Sequence, residues 1–304
     1  MSALNIGLAL QTFQTPMTGE TPVWEHIRSS AIEAEAMGFD TVWVPDELLW
    51  DFEEWGGAHG FWECVAMTGA VAATTSTIEV GTWVLSALHR NPGLTAKTAA
   101  TIDEISGGRF LFGFGSGHSG GQGKAFGFPP DRVVSRYEEA LEIIVPLLRE
   151  GSVDFDGKYH RASGLKQLPT GPRPTGIPLM LGGHKPRTIG LAVAHADIWS
   201  GFATESSLPE AFTGMLSLVD QACEEKGRDP ATLGRSIGVW LEAGKASKAE
   251  EMGLGVPLSG TPEQVADSLV AFAEMGVTRV ELNLVPGQRE AFDLAAEAIS
   301  HIHG

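Results

Sequence analysis

Eight strand-like segments, each followed by a helix-like segment, run along the 304-residue chain. β-Branched and aromatic residues mark the strands, and apolar residues at helical spacing mark the helices. The predicted strands are Asn5–Leu10, Thr41–Pro45, Ile78–Leu85, Arg109–Gly113, Pro178–Leu181, Ile198–Gly201, Ile237–Leu241 and Val277–Leu284. Apolar strands joined by helices form parallel sheets that are covered on both faces. Eight such units in about 250–300 residues predict a (β/α)8 TIM barrel.

We expect one domain over residues 1–304, because no linker divides the chain. A doubly wound open sheet is the alternative, but it usually has a glycine-rich turn after its first strand, which Leu10–Gln14 lacks. Two insertions exceed a minimal barrel. One is Leu48–Gly60 after strand 2, and the other comprises Ser116–Asp131 and Gly151–Gly176 after strand 4, with a hairpin at Val153–Tyr159. Both adjoin the strand ends where barrel enzymes place their chemistry.

Composition narrows the range of partners. The net charge of −17 argues against nucleic acid and against an anionic membrane surface as the main partner. Cys64 and Cys223 are expected to be reduced, partly buried thiols in helices. The N-terminal apolar run is too short for a signal sequence or a membrane span, so we expect a cytoplasmic protein that acts on a small molecule.

Acidic residues, glycines and a histidine follow two of the predicted strands. Asp46 and Glu47 come directly after strand 2, where they are either a structural loop pair or hydrogen-bond acceptors and a general base. Strand 4 ends in Gly113-x-Gly115-x-Gly117, and glycine allows the backbone to approach a flat or anionic ligand closely. His118 follows, and although a lone histidine is usually structural, this position also suits a functional residue.

Strand 5 ends in Gly182-Gly183-His184 and leads into a helix near Pro186. Backbone N–H groups at such a helix start can bind phosphate. The sequence lacks a phosphate-binding P-loop, a nucleophile elbow and metal-ligand spacings, so we predict no metal site. The insertions carry Phe52, Trp55, Phe126 and Phe128, which indicate a moderately hydrophobic substrate.

Several segments, taken in their order and spacing, resemble the bacterial luciferase-like flavin and deazaflavin oxidoreductases. The resemblance covers nearly the whole chain. The segments are Gly38–Asp46 (GFDTVWVPD), Asn91–Arg109, which ends in TIDEISGGR, Gly113–Gly117 (GFGSG), Ala125–Pro129, Arg132–Ala140, Phe155–Tyr159 and Ala196–Trp199.

The resemblance implies a barrel whose strand ends hold the ring of coenzyme F420 or of FMN. It also implies a non-proline cis peptide at Trp83-Val84, which forms a bulge behind the ring. The residues expected to contact the coenzyme are Asp46, Trp83, Val84, Gly115, Ser116, Gly117, Gly182, Gly183 and His184. Glu47 or His118 would move the proton that accompanies hydride transfer. Deazaflavin-dependent members commonly have Asp-His where this chain has Asp46-Glu47.

Three functions follow as hypotheses. The first is an oxidoreductase that transfers hydride between coenzyme F420 and a small organic substrate. The second is an FMN-dependent monooxygenase that receives its reduced flavin from another protein. The third is a non-catalytic barrel that serves as a subunit. Members of the family are often dimers, so a homodimer is possible by analogy.

Overall fold

A closed barrel of parallel strands forms the centre of the molecule. The structure is a computed structural model, and it describes residues 4–15, 19–52, 57–117, 121–173, 176–202, 205–244, 248–285 and 289–303. Within these ranges the barrel strands are β1 (Asn5–Ala9), β2 (Thr41–Val44), β5 (Glu79–Thr82), β7 (Phe110–Gly115), β10 (Leu179–Gly182), β11 (Ile198–Phe202), β12 (Gly234–Leu241) and β13 (Arg279–Leu284). Each pairs in parallel with the next, and β13 pairs with β1, which closes the sheet.

The remaining elements surround the barrel or extend its loops. The short strands are β3 (Leu49–Phe52), β4 (Gly57–Gly60), β6 (Leu85–Ser86), β8 (Ser152–Asp156) and β9 (Arg161–Lys166). The α-helices are α1 (Trp24–Ala36), α2 (Cys64–Thr74), α3 (Pro92–Ser106), α4 (Gly121–Phe126), α5 (Val133–Arg149), α6 (Pro186–His195), α7 (Thr213–Lys226), α8 (Lys248–Glu251), α9 (Pro262–Glu274) and α10 (Arg289–His303). In the described residues no helix is long and apolar enough to cross a membrane.

The predicted barrel and both insertions are confirmed, with local differences. The insertion after β2 contains the antiparallel hairpin β3–β4, which the sequence did not predict, so α2 begins at Cys64 and not at Gly60. The predicted third strand is interrupted at Trp83-Val84, whose peptide bond is cis, as the resemblance implied. Helix α3 begins at Pro92, three residues earlier than the predicted Thr95, because the Asn91 side chain caps it. Cys64 and Cys223 are buried free thiols, as expected.

Polar side chains form a buried network inside the barrel. Glu281 has no exposed surface, and it accepts hydrogen bonds from the Trp43 indole N–H and from Ser236 Oγ at 2.9 Å. Arg279 lies 3.4 Å from Glu281 and donates to Glu79 at 2.8 Å. Burial raises the pKa of Glu281. Hydrogen bonds and ion pairs inside the barrel therefore connect neighbouring strands around the large Trp43 ring.

The connection between α2 and β5 is held from two directions. The Glu35 carboxylate accepts the backbone N–H groups of Ser76, Thr77 and Ile78 at 2.5–2.9 Å. Arg109 donates to backbone carbonyls at the end of α2 and to the Ile78 carbonyl. Burial opposes the charge of Glu35, but the three backbone hydrogen bonds lower its pKa to about 2. These contacts fix the start of β5, the strand that leads directly into Trp83 and Val84.

Candidate active site

A cavity of about 720 Å³ lies at the carboxyl ends of the barrel strands. This volume falls within the range of about 300–1,000 Å³ that is usual for small-molecule sites. Its lining comes from the barrel strands or the segments that directly follow them, and from the hairpin β3–β4. Of the residues predicted to contact a coenzyme or to catalyse, Asp46, Glu47, Trp83, Val84, Gly117, Gly182 and His184 line the cavity. The structure thus brings residues from four separate segments of the chain together at one site.

Trp83 and Val84 form the part of the cavity nearest the barrel axis. The Trp83 indole N–H donates to Ser200 Oγ on β11 at 3.2 Å, so the ring reaches across the barrel from β5. The ring also covers Gly238 of β12, where an added Cβ would come within 2.4 Å of it. Val84 packs against the interior cluster of Trp43, Leu111 and Met180. Together the two side chains give the cavity a broad apolar floor.

The glycines at the end of β7 pack closely against the segment that follows β5. A Cβ at Gly115 would come within 2.7 Å of Val84, and one at Gly117 within 2.0 Å of Ser86 Oγ. In the direction of a Cβ, the space beside these glycines is therefore filled by side chains of the neighbouring segment. Gly117 also lines the cavity with a φ of +70°, which favours glycine. Contact of Gly115 or Ser116 with a coenzyme stays a prediction, and His118 lies outside the described residues.

Asp46 is the centre of a buried ion-pair network. Its carboxylate accepts two hydrogen bonds from the Arg90 guanidinium, at 2.6 and 2.8 Å. It also accepts the Ser86 backbone N–H at 2.8 Å, and His89 Nδ1 lies 3.1 Å away. Burial opposes the charge, but the hydrogen bonds from His89 and Arg90 hold the pKa of Asp46 below its ordinary value. Asp46 is therefore ionised at neutral pH and joins the loops after β2 and β6.

Glu47 borders the cavity and is held by Gln122. The buried Gln122 side chain donates to the Glu47 carboxylate and accepts the Leu48 backbone N–H at 2.8 Å. Gln122 belongs to α4, in the insertion after β7, whereas Glu47 begins the insertion after β2. One amide thus joins the two insertions and fixes the position of the carboxylate at the edge of the cavity.

The end of β10 leaves open space beside the cavity. A Cβ at Gly182 would meet only Val84 Cγ2, at an ordinary contact distance of 3.8 Å. Gly183 has no such room, because a Cβ there would come within 2.8 Å of Thr188 at the start of α6. Arg187, in the first turn of α6, pairs with Glu138 on α5. The structure therefore directs Gly182 and His184 to the cavity, and Gly183 to helix packing.

Comparison with known proteins identifies the family. The model of the luciferase-like monooxygenase family matches residues 4–245. The chain belongs to this family. This membership confirms both the predicted resemblance and the expectation of an enzyme.

Individual luciferase-like proteins show how far the similarity extends. A 5,10-methylenetetrahydromethanopterin reductase of Archaeoglobus fulgidus is 28% identical over 238 residues, which span 77% of this chain and 66% of that protein. An F420-dependent glucose-6-phosphate dehydrogenase of Kineococcus radiotolerans is 28% identical over 248 residues, or 77% of this chain and 69% of that one. The solved structure of an F420-dependent secondary alcohol dehydrogenase has a TM-score of 0.82 at 20% identity and covers 99% of both chains.

Sequence reasoning missed several side chains of this luciferase-like site. Arg90 and Gln122 hold the two acidic residues but lie 44 and 75 positions away from them in the chain. The aromatic residues were also placed incorrectly in part. Phe126 is exposed and Phe128 stacks on His89, so neither side chain lines the cavity. Trp55 and the Phe52 side chain lie outside the described residues. An aromatic wall of the cavity is formed by Phe13, Trp50 and Phe61, whose ring centroids are 4.5–4.9 Å apart.

Proposed function

We propose that this protein is an oxidoreductase that uses coenzyme F420 to exchange a hydride with a small organic substrate. The observation that carries the proposal is the cavity with its apolar floor of Trp83 and Val84 and with Glu47 at its edge. Two of the compared proteins are F420-dependent, and they act on different substrates. The comparisons therefore support the coenzyme and leave the substrate to be determined.

The residues present fit a planar coenzyme. The floor offers flat apolar surface, and the open side of Gly182 leaves room next to Val84. We expect Trp83, Val84 and Gly182 to hold the ring, with polar contacts from Asn283 and Gln11, which also line the cavity. When bound, coenzyme F420 supplies the hydride chemistry. The protein binds the reactants, excludes water from the space between them and accepts or donates the proton.

Glu47 is proposed to move the proton that accompanies hydride transfer. The Gln122 amide fixes its carboxylate at the edge of the cavity, which meets the requirement that a general base be positioned within reach of the substrate. Asp46 is unsuited to this role, because its ion pair with Arg90 stabilises the charged form. His118 remains the other candidate for proton transfer.

An FMN-dependent monooxygenase is the second candidate function. It is favoured by the family as a whole, whose model describes luciferase-like monooxygenases. The fold does not separate the two candidates, because both place a tricyclic ring at the same strand ends. A non-catalytic barrel is disfavoured, since the cavity is open and its acidic edge is in place.

Calorimetric titration of the purified protein with coenzyme F420, and separately with FMN, tests the proposal. Saturable binding of F420 alone supports it. Binding of FMN alone overturns it in favour of the monooxygenase, and binding of neither overturns it in favour of a barrel without coenzyme.

Two glycine variants make the titration specific for the cavity. Gly182→Val projects a branched side chain toward Val84, and we expect it to weaken F420 binding at least about tenfold, because ring and side chain would overlap. Gly214→Val on α7 is the control, since a side chain there also meets open space but lies outside the cavity lining. Equal F420 affinity in both variants would place the coenzyme elsewhere.

A further inference from the structure

The cavity reaches beyond the barrel wall. Side chains alternate along a strand, and Gly7 and Glu281 face the barrel interior, where a Cβ on Gly7 would meet Glu281 and Trp43. Leu8 of β1 and Leu284 of β13 therefore point outward, toward the helices. Both line the cavity, together with Ser30 of α1 and Phe292 of α10. We call this part of the cavity, lined by Leu8, Ser30, Leu284 and Phe292, the side lobe.

The outer end of the side lobe is bordered by a charged group that is already paired. Arg289 lines the cavity, and its Nη1 lies 2.6 Å from the Glu33 carboxylate, which links α10 to α1. Its guanidinium also lies 3.6 Å from Asp293 and 4.7 Å from the centre of the Phe292 ring. Two carboxylates thus compensate the cation, and the chain carries a net charge of −17. An anionic group of a ligand would therefore gain little binding free energy from Arg289.

We propose that the side lobe binds the apolar tail of the substrate, which is then an alcohol or ketone that carries an aliphatic chain. Three of its four lining side chains are apolar, and the fourth, Ser30, is small enough to leave room beside them. The lobe is continuous with the cavity above Trp83 and Val84, so the tail can extend outward while the reacting carbon stays over the floor.

This proposal rests on the proposed function and specifies its substrate class. In the oxidative direction the carbinol carbon loses one hydride to the coenzyme, and the hydroxyl group loses one proton to Glu47. The alcohol is oxidised to a ketone and the coenzyme is reduced by two electrons. Each methylene buried in the lobe is expected to tighten binding about fourfold.

The test is ligand-observed NMR titration of the protein, without coenzyme, with straight-chain 2-alkanones from 2-butanone to 2-decanone. We expect the dissociation constant to fall about fourfold per added methylene and then to level off when the lobe is full. Ser30→Phe fills the lobe and should abolish the dependence of affinity on chain length. Ser30→Val should make the affinity level off at a shorter chain length than in the wild type. This smaller substitution provides the test if the phenylalanine variant does not fold.

Ser29→Phe is the matched control, because Ser29 is the neighbouring serine of α1 and does not line the cavity. It should keep the wild-type dependence on chain length. Equal affinity for all ketones in the wild type would overturn the proposal, and so would unchanged growth of affinity in Ser30→Phe.

Titration of Ser30→Phe with coenzyme F420 separates this proposal from the one on which it rests. Unchanged F420 affinity supports assignment of the lobe to the substrate. Weakened F420 binding with an unchanged ketone series would assign the lobe to the coenzyme and overturn the proposal. If the wild type does not bind F420, the proposed function fails, and the ketone series still decides whether the lobe takes an apolar tail.

Discussion

At the scale of single residues, Asp46 and Glu47 are adjacent in the chain but have different surroundings. Asp46 is buried and bonded to Arg90, whereas Glu47 borders the cavity and is bonded to Gln122. The first arrangement stabilises a permanent charge, and the second positions a carboxylate that can reach a ligand. The predicted pair therefore separates into an anchor and a candidate base.

Replacement of Asp46 tests its anchoring role. Asp46→Asn leaves the half-buried Arg90 facing an amide, although Glu63 still bonds it, and we expect a loss of about 1.5–3 kcal/mol in the free energy of unfolding, because hydrogen bonds between charged groups are lost. Glu63→Gln is the control, since Glu63 bonds the same guanidinium from a half-exposed position and caps α2. That change should cost about 1 kcal/mol. Urea unfolding measures both, and similar losses would show that Asp46 has no special role.

The amide of Gln122 provides a test of Glu47 that leaves Glu47 itself intact. Gln122→Glu places a second carboxylate beside the first, and like charges raise the pKa of one of them. If Glu47 acts as a base, the acid limb of the pH–rate profile should move upward by about one unit or more. Gln122→Met removes the hydrogen bond to the carboxylate without adding charge, so it should move that limb in the same direction but by a smaller amount. A profile that is the same in all three proteins would exclude Glu47 as the titrating base.

At the scale of the elements, charged side chains hold the segments between helices and strands by binding their backbone atoms. Glu35 on α1 holds three successive N–H groups before β5. Its pKa is lowered from 4.5 to about 2, so its contribution to stability is complete above about pH 4.5 and is lost as the pH falls toward 2. The connection between α2 and β5 is thus sensitive to acid.

Glu35→Gln should reveal this dependence. Near neutral pH the variant should be less stable than the wild type, and the difference in unfolding free energy should shrink between about pH 5 and pH 2, because protonated Glu35 and glutamine are similar acceptors. Denaturant unfolding over this range measures the difference. A difference that stays constant with pH would show that the charge of Glu35 does not contribute.

The sequence predicted these elements better than it predicted their contacts. Periodicity and caps located the barrel strands and most helices, since those signals are local. The hairpin β3–β4 was missed because Leu48–Gly60 shows no regular alternation. The partners of Asp46 and Glu47 were missed because they come from distant segments of the chain, and only the closed barrel brings those segments together. A glycine such as Gly115 indicates that a side chain would not fit at that position, but the sequence does not identify Val84 as the neighbouring side chain.

At the scale of the whole molecule, the barrel is held by a polar interior as well as by the apolar layer between strands and helices. Glu281 accepts the indole N–H of Trp43 and the hydroxyl of Ser236, so three strands meet at one carboxylate. Buried donors that lose their acceptor are costly. The stability of the barrel therefore depends on hydrogen bonds at its axis.

Two substitutions of Glu281 distinguish hydrogen bonding from packing. Glu281→Leu leaves both donors without an acceptor, and we expect it to lower the free energy of unfolding by about 1–3 kcal/mol for each. Glu281→Gln keeps an acceptor for Trp43 and should cost clearly less. Urea unfolding of the two variants provides the comparison, and a more stable leucine variant would contradict the expectation.

The position of Trp83 also makes the intrinsic tryptophan fluorescence of the protein sensitive to ligands in the cavity. Trp50, Trp83 and Trp240 border the cavity, whereas Trp43 and Trp199 are fully buried just behind its lining. Indole emission responds to the polarity around the ring and to energy transfer toward a nearby chromophore. A coloured molecule that binds on the floor would therefore quench the indole emission of the protein. The emission spectrum of the unlabelled protein would then record the arrival of a ligand.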